Sequence, residues 1–482
     1  MKQVEHVELR KVHDALFEIP QTGEMKVPGR IYADEKLIAQ MRDEGGLTQV
    51  RNVAQLPGIV GYSLAMPDIH WGYGFPIGGV AATDPAEGGV ISPGGVGYDI
   101  NCGMRLCATR LNVAAVRPRI EKLVSRLFAN IPCGVGSEGA IPRVSKKDLE
   151  AVMTKGALWA IQKGYGRREH LESTEEGGCL AGADPSMVSE RAVERGVTQL
   201  GTLGSGNHFV EIDVVDRIYH PGAAQEFGIE EGQIAVLIHT GSRGFGYQIC
   251  DDYLRVLSRA TQKYGILLPD RQLACAPVES EEGRAYLAAM ACAANFAWAN
   301  RQTMQHLIEQ SLIEGMECSP NEVGLRLIYD VCHNIAKLEM HEVEGKLRRL
   351  CVHRKGATRA HPPRGQPSPW RYGQPVIVPG DMGSESFFCV GTERSLDETF
   401  GSTCHGAGRV MSRTAAQKQF RGRDLVRELA QDGITVLAKG RGTLAEEMRG
   451  AYKEVRRVVD VMEQAGITKK VARLRPIGVI KG

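Results

Sequence analysis

The chain has 482 residues, of which 43% are hydrophobic and 24% are charged, and this balance excludes a disordered tail or a fibre as its main state. The formal net charge is only +2, from 59 Lys and Arg against 57 Asp and Glu, and by itself that value argues against a nucleic-acid-binding protein. The twelve cysteines form no CxxC pair, which favours a reducing, cytoplasmic location.

The sequence predicts neither a secretory signal nor a membrane span. The N-terminal segment alternates charged and apolar residues and has no continuous apolar stretch. The most apolar run, 285–299, is Ala-rich and shorter than the roughly 18 residues that a membrane span requires.

The first dense feature in chain order is a glycine-rich region that contains the motifs MPDIHWGYGFPIGG and SPGGVGYDINCGMR. Twelve glycines occupy the 46 positions from Gly58 to Gly103, too many for a regular helix or a central strand, so we expect shaped loops. Asp99 and Cys102 are three residues apart, close enough on a tight turn to offer oxygen and sulfur to one borderline divalent ion such as Mn, Fe, Co or Zn. Taken alone, such a cysteine is more often a small buried apolar residue.

Helices are predicted from apolar residues spaced three and four apart. One covers 114–131, and a second opens at the cap and proline of Asp184-Pro185. The longest covers 281–314, where Arg301 falls on the periodic face and is expected to pack.

Three histidines follow apolar runs or begin them. His208 precedes an alternating strand in LGTLGSGNHFVEI, whereas His239 and His333 end the strands predicted at 234–238 and 325–331. A single histidine in this setting is more often structural. Three of them, together with the Asp–Cys turn, favour a metal cluster at a sheet edge.

A third predicted strand, 376–378, ends at Pro379 and Gly380. With the runs above, it predicts an α/β (α+β) fold in which helices flank mixed central β-sheets and loops carry the metal cluster. No clear linker divides the chain, so residues 1–482 are expected to form a single catalytic domain.

Two further motifs suit phosphate chemistry. HRKGATRAHPPRG (353–365) places basic groups around a glycine turn, where they can contact phosphate oxygens or form a solvated basic loop. GSTCHGAGRVMSR (401–413) surrounds His405 with small residues, and a helix starting there would aim its N–H groups at an anion. His405 is therefore a candidate nucleophile toward phosphorus, with the following arginines stabilising charge.

These motifs, in this order and together with IHTGSRG and a terminal IGVIKG, resemble the RtcB family of RNA ligases from end to end. The resemblance implies a GTP- and Mn²⁺-dependent ligase that joins RNA ends bearing a 2′,3′-cyclic phosphate or 3′-phosphate to 5′-hydroxyl ends, in tRNA splicing or RNA repair. It implies that His405 is guanylated by GTP and then passes the guanylate to the RNA 3′-end. It also implies an RNA partner, an archease-type activator and a monomeric or homodimeric state.

The resemblance further implies a role for each motif residue. Two Mn²⁺ ions would share Cys102, one held also by Asp99 and His208 and the other by His239 and His333. The GTP-binding or GMP-binding residues would be Asn207, His208, Phe209, Val210, Glu211, His333, Asn334, Pro379, Gly380, Asp381, Met382, Ser386, His405, Gly406, Ala407, Gly408, Tyr452 and Lys481. RNA phosphates would meet Arg354, Lys355, Arg359, Arg409 and Arg413.

One departure concerns two acidic residues beside the expected nucleotide. Asp381 and Glu385 stand where small or hydroxyl residues are expected. An added acid near a triphosphate is unfavourable unless its side chain points away or meets a cation.

Two other functions remain open from the residues alone. A dinuclear phosphoesterase would need the metal ligands but neither His405 nor GTP. A non-catalytic RNA-binding or scaffold protein would show a gap in the metal set, and the sequence shows none.

The small net charge averages two oppositely charged portions of the chain. Residues 345–482 carry 26 Lys and Arg against 13 Asp and Glu, whereas residues 1–344 carry 33 against 44. The basic portion predicts steeply salt-sensitive RNA binding centred on Arg354, Lys355, Arg359, Arg409 and Arg413.

Overall fold

The structure is a computed structural model that describes residues 7–41, 45–363 and 370–482. The first six residues of the N-terminal segment, and positions 364 and 365 of the basic motif, lie outside this range. None of the helices within it is long and apolar enough to cross a membrane.

The strands in the described residues are β1 (Arg10–His13), β2 (Leu16–Ile19), β3 (Gly29–Tyr32), β4 (Ile59–His70), β5 (Ile77–Thr83), β6 (Val90–Ile91), β7 (Gly103–Asn112), β8 (Phe209–Ile218), β9 (Gln233–Thr240), β10 (Ala276–Pro277), β11 (Arg326–Cys332), β12 (Asn334–Val343), β13 (Lys346–Lys355), β14 (Ala357–Arg359), β15 (Pro375–Val378), β16 (Ser386–Gly391), β17 (Ser402–Cys404), β18 (Thr435–Ala438) and β19 (Thr468–Lys481).

The α-helices in the same residues are α1 (Glu35–Met41), α2 (Gly46–Val53), α3 (Val113–Val116), α4 (Ile120–Asn130), α5 (Lys146–Lys155), α6 (Ala157–Gln162), α7 (Glu190–Gly196), α8 (Pro221–Phe227), α9 (Arg243–Lys263), α10 (Glu281–Met316), α11 (Pro320–Val323), α12 (Glu393–Thr399), α13 (Arg413–Gln419), α14 (Leu425–Gln431), α15 (Arg441–Glu446) and α16 (Val455–Gln464).

Two large mixed sheets organise these elements, which confirms the predicted fold class. One sheet has the order β11-β7-β9-β8-β19-β16-β15, with β18 paired in parallel to β19. The other has the order β1-β2-β3-β4-β5-β13-β12, and the short pair β14-β17 lies apart from both. Helices cover the sheets, and their apolar faces complete four hydrophobic clusters.

The predicted strands are confirmed at β9, β11 and β15, but two predicted helices differ. The helix expected over 114–131 is divided into α3 and α4 by a 3₁₀ turn over Arg117–Arg119, because Pro118 lacks the N–H that a continuous helix requires. At Asp184 the chain makes only one 3₁₀ turn, and α7 begins later with Ser189 as its N-cap. The long helix is confirmed as α10.

Arg301 of α10 does more than the packing role predicted for it. Its side chain is fully buried, and all five of its N–H donors find acceptors. They reach Asp330 of β11 at 2.8 and 2.9 Å, the carbonyls of Asn101 and Thr240 at 2.8 and 3.0 Å, and the Asn101 side chain at 2.9 Å. One guanidinium thus joins the loop before β7, the end of β9 and β11.

Asp330 is held ionised between two arginines. Burial alone would raise the pKa of this carboxyl, but Arg301 and Arg105 of β7 together bring the pKa below its ordinary value. Arg105 donates to Asp330 at 2.7 Å and to the side chains of Gln302 and Gln305 on α10. The helix is therefore fastened to the same strands by a second buried cation.

We predict that Arg301→Met lowers the free energy of unfolding by about 3 kcal/mol or more, because it removes one of the two cations that compensate the buried Asp330 carboxylate. Urea unfolding followed by circular dichroism measures the change. Arg284→Met on the first turn of α10 is the matched control, since that side chain is 63% exposed and should alter stability by less than about 0.5 kcal/mol. Equal effects of the two substitutions would contradict the role given to Arg301.

Candidate active site

The five predicted metal ligands meet at one edge of the larger sheet. Cys102 immediately precedes β7, His239 lies near the end of β9, His208 immediately precedes β8, and His333 follows β11. These four strands are direct neighbours, and Met104 and Phe209 both pair with His239 in the strand register. Asp99 joins them from the loop before β7, so the sheet itself brings these side chains together.

The ligand atoms form two groups that share Cys102. Asp99, Cys102 and His208 make one group, and Cys102, His239 and His333 make the other; within each group the atoms lie within 4.8 Å of one another. The Cys102 Sγ atom lies 3.5 Å from His208 Nε2 and 3.3 Å from His239 Nε2. Sulfur, imidazole nitrogen and one carboxylate oxygen form a donor set that suits a borderline divalent cation.

His208 and Asp99 bring two of the predicted ligand atoms into direct contact. His208 donates through Nδ1 to the carbonyl of Leu203 at 2.9 Å, which leaves Nε2 as an acceptor in the neutral ring. That Nε2 lies only 2.7 Å from Asp99 Oδ2. Two acceptor atoms approach so closely only with a proton or a metal ion between them.

Burial keeps the other two imidazoles neutral. It lowers the pKa of His239 and of His333 well below the usual range, and neighbouring cationic groups act in the same direction. Their Nε2 atoms lie 3.3 Å apart. Both rings therefore present lone pairs, as metal ligation requires.

Cys102 and Asp99 respond to the same surroundings in opposite ways. Burial and the Asp99 carboxylate raise the pKa of the Cys102 thiol, so a thiolate ligand needs a cation beside it. Burial also opposes ionisation of Asp99, but the His208 imidazole and Arg243 lower its pKa to about 2. The residues present thus fit a pair of divalent ions.

His405 is oriented by the buried carboxylate of Asp68, a residue of the MPDIH motif for which the sequence predicts no role. His405 donates through Nδ1 to Asp68 Oδ2 at 2.6 Å, and the backbone N–H groups of His405 and Gly406 donate to the same oxygen. The His405 ring centroid lies 4.9 Å from that of His333. Because Nδ1 carries the proton, Nε2 keeps a lone pair beside the metal-ligand cluster.

Asp68 remains ionised although it is fully buried. Burial would raise its pKa, but the His405 imidazole, the His405 backbone and Lys453 together lower the pKa below its ordinary value. The carboxylate therefore fixes the tautomer of His405 and stabilises positive charge on its ring.

Glycine is required where the chain passes closest to His405. Gly356 has φ +61°, and a Cβ atom there would lie 2.4 Å from the Ile77 side chain and 3.0 Å from His405 Cε1. The helix predicted to start at His405 is not present. After Cys404 the chain runs without helix to Ser412, which caps α13, so α13 begins eight residues after His405.

One cavity of about 1110 Å³ contains the metal ligands, His405 and most of the predicted guanylate-binding residues. Those that line it are Asn207, His208, Phe209, His333, Asn334, Pro379, Gly380, Asp381, Met382, His405, Gly406, Ala407, Gly408, Tyr452 and Lys481.

Three predicted guanylate contacts do not line this cavity. Val210 alternates with Phe209 on β8 and packs in a hydrophobic cluster on the other side of the sheet. Glu211 is 2% exposed, and Ser386 accepts a hydrogen bond from the N–H of Gly380 at 3.3 Å. These side chains support the wall of the cavity in this structure.

The C-terminal residues lie at the same site, as expected. Lys481 donates to the carbonyl of His208 at 3.2 Å and lies 3.8 Å from Glu447. Tyr452 donates to Glu447 and accepts from Arg409 Nη1 at 2.9 Å. Pairing of Lys481 on β19 with Phe209 on β8 fixes the end of the chain.

The two acidic residues noted beside the nucleotide site are both accommodated. The Asp381 carboxylate accepts from Ser384 Oγ at 2.5 Å and from the N–H of Gly383 at 2.9 Å, and burial raises its pKa. Glu385 forms an ion pair with Arg456 at 2.8 Å. Glu385 therefore meets a cation, one of the two conditions under which an acid near a triphosphate is tolerated.

Two of the predicted RNA contacts are wrong in this structure. Arg354 is fully buried in β13 and donates hydrogen bonds from both of its Nη atoms to the Glu339 carboxylate at 2.8 Å. Arg359 is 8% exposed and forms ion pairs with Glu175 at 3.3 Å and with Glu176 at 2.6 Å. In its described part, residues 353–363, the motif contains the end of β13, a turn and β14, and carboxylates from earlier in the chain satisfy Arg354 and Arg359.

The other three predicted RNA contacts line the cavity. Lys355 donates to the carbonyls of Tyr73 and Phe75, and burial lowers the pKa of its ammonium to about 7. Arg409 pairs with Glu447 at 3.2 Å, whereas the Arg413 side chain is 55% exposed. All three therefore line the same cavity as the predicted metal ligands.

Comparisons with known proteins agree with this site. A profile of the family described as tRNA-splicing ligase RtcB matches residues 49–482. The chain is 52% identical over 482 residues to the tRNA-splicing ligase RtcB of Thermococcus kodakarensis, covering 99% of this chain and 100% of the relative. It is 53% identical over 479 residues to the protein of the same name from Archaeoglobus fulgidus, covering 98% and 99%.

The family match covers every residue of the metal cluster, the nucleophile loop and the cavity wall, and the resemblance predicted from the motifs is confirmed: this chain belongs to the RtcB family.

Proposed function

We propose that this protein is a GTP-dependent RNA ligase that joins a 3′-phosphate RNA end to a 5′-hydroxyl end through a guanylated His405. The observation that carries the proposal is the Asp68–His405 pair beside two overlapping metal-ligand groups in one cavity. The names of the relatives add tRNA splicing as the setting.

Two Mn²⁺ ions would be held by residues already in place. Asp99 and His208 would bind one ion, His239 and His333 the other, and the Cys102 thiolate both. When bound, they would neutralise phosphate charge and order phosphate oxygens for attack.

His405 supplies the nucleophile for the first step. Its Nε2 lone pair attacks the α-phosphorus of GTP, a P–N bond forms, the bond to the β-phosphate oxygen breaks, and pyrophosphate leaves. Asp68 accepts the Nδ1–H hydrogen bond and stabilises the cationic ring that results. Arg409 and Arg413 line the same cavity and would stabilise negative charge on the transferring phosphate.

The same imidazole is the leaving group of the second step. An oxygen of the RNA 3′-phosphate attacks the guanylate phosphorus and the P–N bond breaks, which restores neutral His405. The RNA 5′-hydroxyl then attacks the activated 3′-phosphate, and GMP leaves. A 2′,3′-cyclic phosphate must first be opened by water, because only a free phosphate oxygen can accept the guanylate.

The site also supports one catalytic unit. Its residues come from Asp68 in β4 to Lys481 in β19, so both large sheets are needed, and we propose a single catalytic domain over residues 1–482. The family resemblance adds an archease-type activator, a monomeric or homodimeric state and a cytoplasmic location to the proposal.

We predict that the protein incubated with α-labelled GTP and Mn²⁺ keeps label on the polypeptide after denaturation, and that His405→Ala abolishes both label and RNA joining because the nucleophile is lost. His306→Ala is the matched control, since His306 packs against Tyr165 outside the cavity and should leave labelling intact. Label that persists in His405→Ala would exclude this nucleophile.

We predict that Asp68→Asn slows labelling by about 10²- to 10⁴-fold, because the ring loses the charge that orients it and stabilises its cationic form. Rapid-quench measurement at saturating GTP gives the rate, and GTP titration gives the apparent affinity. The rate should fall while the affinity changes little; an unchanged rate would refute the orienting role.

We predict that Cys102→Ser reduces bound Mn²⁺ from two ions to none per chain, whereas His208→Ala and His333→Ala each remove one, because only the cysteine belongs to both ligand groups. Elemental analysis after dialysis against a defined Mn²⁺ concentration measures the content. Cys318→Ser, a partly exposed cysteine outside the cavity, is the control. Loss of only one ion in Cys102→Ser would disprove the shared ligand.

A further inference from the structure

An aromatic ladder lines one wall of the cavity and has no part in the chemistry described above. The Tyr98 and Tyr247 rings are stacked, with centroids 4.8 Å apart and planes 26° from parallel. Tyr73 meets Tyr98 edge to face at 5.9 Å. All three rings line the cavity that contains His405.

The outer ring of the ladder is open to the cavity. Tyr247 is 49% exposed although it stacks on Tyr98, so part of its ring remains accessible from the cavity. The Arg195 guanidinium carbon lies 5.8 Å from the Tyr247 centroid, close to the outer limit for a cation–π contact, and Arg195 forms no ion pair with another of the described residues. A flat group and a planar cation are thus presented together to the cavity.

The ladder is attached directly to the metal-ligand elements. Tyr98 immediately precedes Asp99, and Tyr247 lies on the first turns of α9, which starts three residues after Thr240 at the end of β9. The predicted guanylate residues 379–382 and 405–408 come instead from the loops after β15 and β17. The ladder therefore belongs to the wall formed by the metal loop and α9.

We propose that this ladder, with Tyr247 as its outer ring, stacks an unpaired nucleobase of the RNA end that is held next to the joining site. The proposal rests on the proposed ligase function. Aromatic rings bind bases of any sequence through their faces, and an arginine plane can cover the base from the other side. The site would select an unpaired RNA end, since both faces of a base can be covered, by a ring and by an arginine, only when the base is not stacked in a duplex.

The test compares Tyr247→Ala with Tyr247→Phe. Fluorescence anisotropy with single-stranded oligonucleotides measures RNA binding, one bearing a 3′-phosphate and the other a 5′-hydroxyl. We expect Tyr247→Ala to weaken binding of one of the two about 5- to 150-fold, the contribution of one stacked base. Tyr247→Phe keeps the ring and should bind within about twofold of the wild type. Tyr264→Ala, at the opposite end of α9 and outside the cavity, is the matched control.

Removing the base instead of the ring identifies the contact. Oligonucleotides with a single abasic position at each of the last three nucleotides are titrated against the wild type and Tyr247→Ala. At one position, removing the base should weaken RNA binding to the wild type as much as Tyr247→Ala weakens binding of the intact oligonucleotide. The same abasic oligonucleotide should bind Tyr247→Ala no more weakly than the intact one does. Equal losses for both proteins at every position would overturn the proposal.

Labelling with α-labelled GTP separates the other outcomes. Tyr247→Ala should be guanylated at the wild-type rate; an equal fall in guanylation and RNA binding would mean that the ring serves GTP or only braces the metal loop, and would overturn the proposal. Wild-type protein that neither takes label nor joins RNA would instead refute the proposed ligase function. If the wild type joins RNA and Tyr247→Ala binds RNA as tightly as the wild type, the stacking proposal would be refuted and the proposed ligase function would stand.

Discussion

The buried guanidinium of Arg301 is the interaction on which the metal-ligand geometry depends. Its five donors reach β11, the end of β9 and the loop before β7 at once. Those are the segments that carry His333, His239 and the Asp99–Cys102 turn. A buried cation without acceptors is strongly unfavourable, so these strand ends cannot separate without leaving the charge unpaired. The ligands therefore hold their spacing through the protein rather than through a metal ion alone.

The nucleophile is positioned by a different part of the molecule. His405 follows β17, and Asp68, which orients it, lies in β4 of the other large sheet. The proposed reaction would need the His405 ring close to the predicted metal ligands but not bonded to them, because its Nε2 would have to remain free for phosphorus. Placing the cation ligands on one sheet and the orienting carboxylate on the other satisfies both conditions, and the Gly356 turn lets the two approach closely.

The sequence predicts those parts of the site that local patterns determine. Strand ends followed by histidine could be identified because apolar runs mark buried strands and the next polar residue falls at the sheet edge. Asp68 and Arg301 could not be assigned, because their partners lie 337 and 29 residues or more away and an isolated aspartate or arginine has no local signature. The misplaced helix at Asp184 shows the same limit, since a cap and a proline also begin a single turn.

Arg354 and Arg359 show why charge along the sequence is a poor guide to an RNA-binding surface. Both contribute to the basic excess after residue 344, yet acidic side chains from the earlier portion of the chain neutralise them inside the fold. Some of the opposite charges on the two portions thus form buried ion pairs that hold the portions together. What remains at the cavity is a small set of cations beside an exposed aromatic wall. Under the proposed stacking, bases as well as phosphates would hold the RNA end, which would favour a single-stranded end over a duplex.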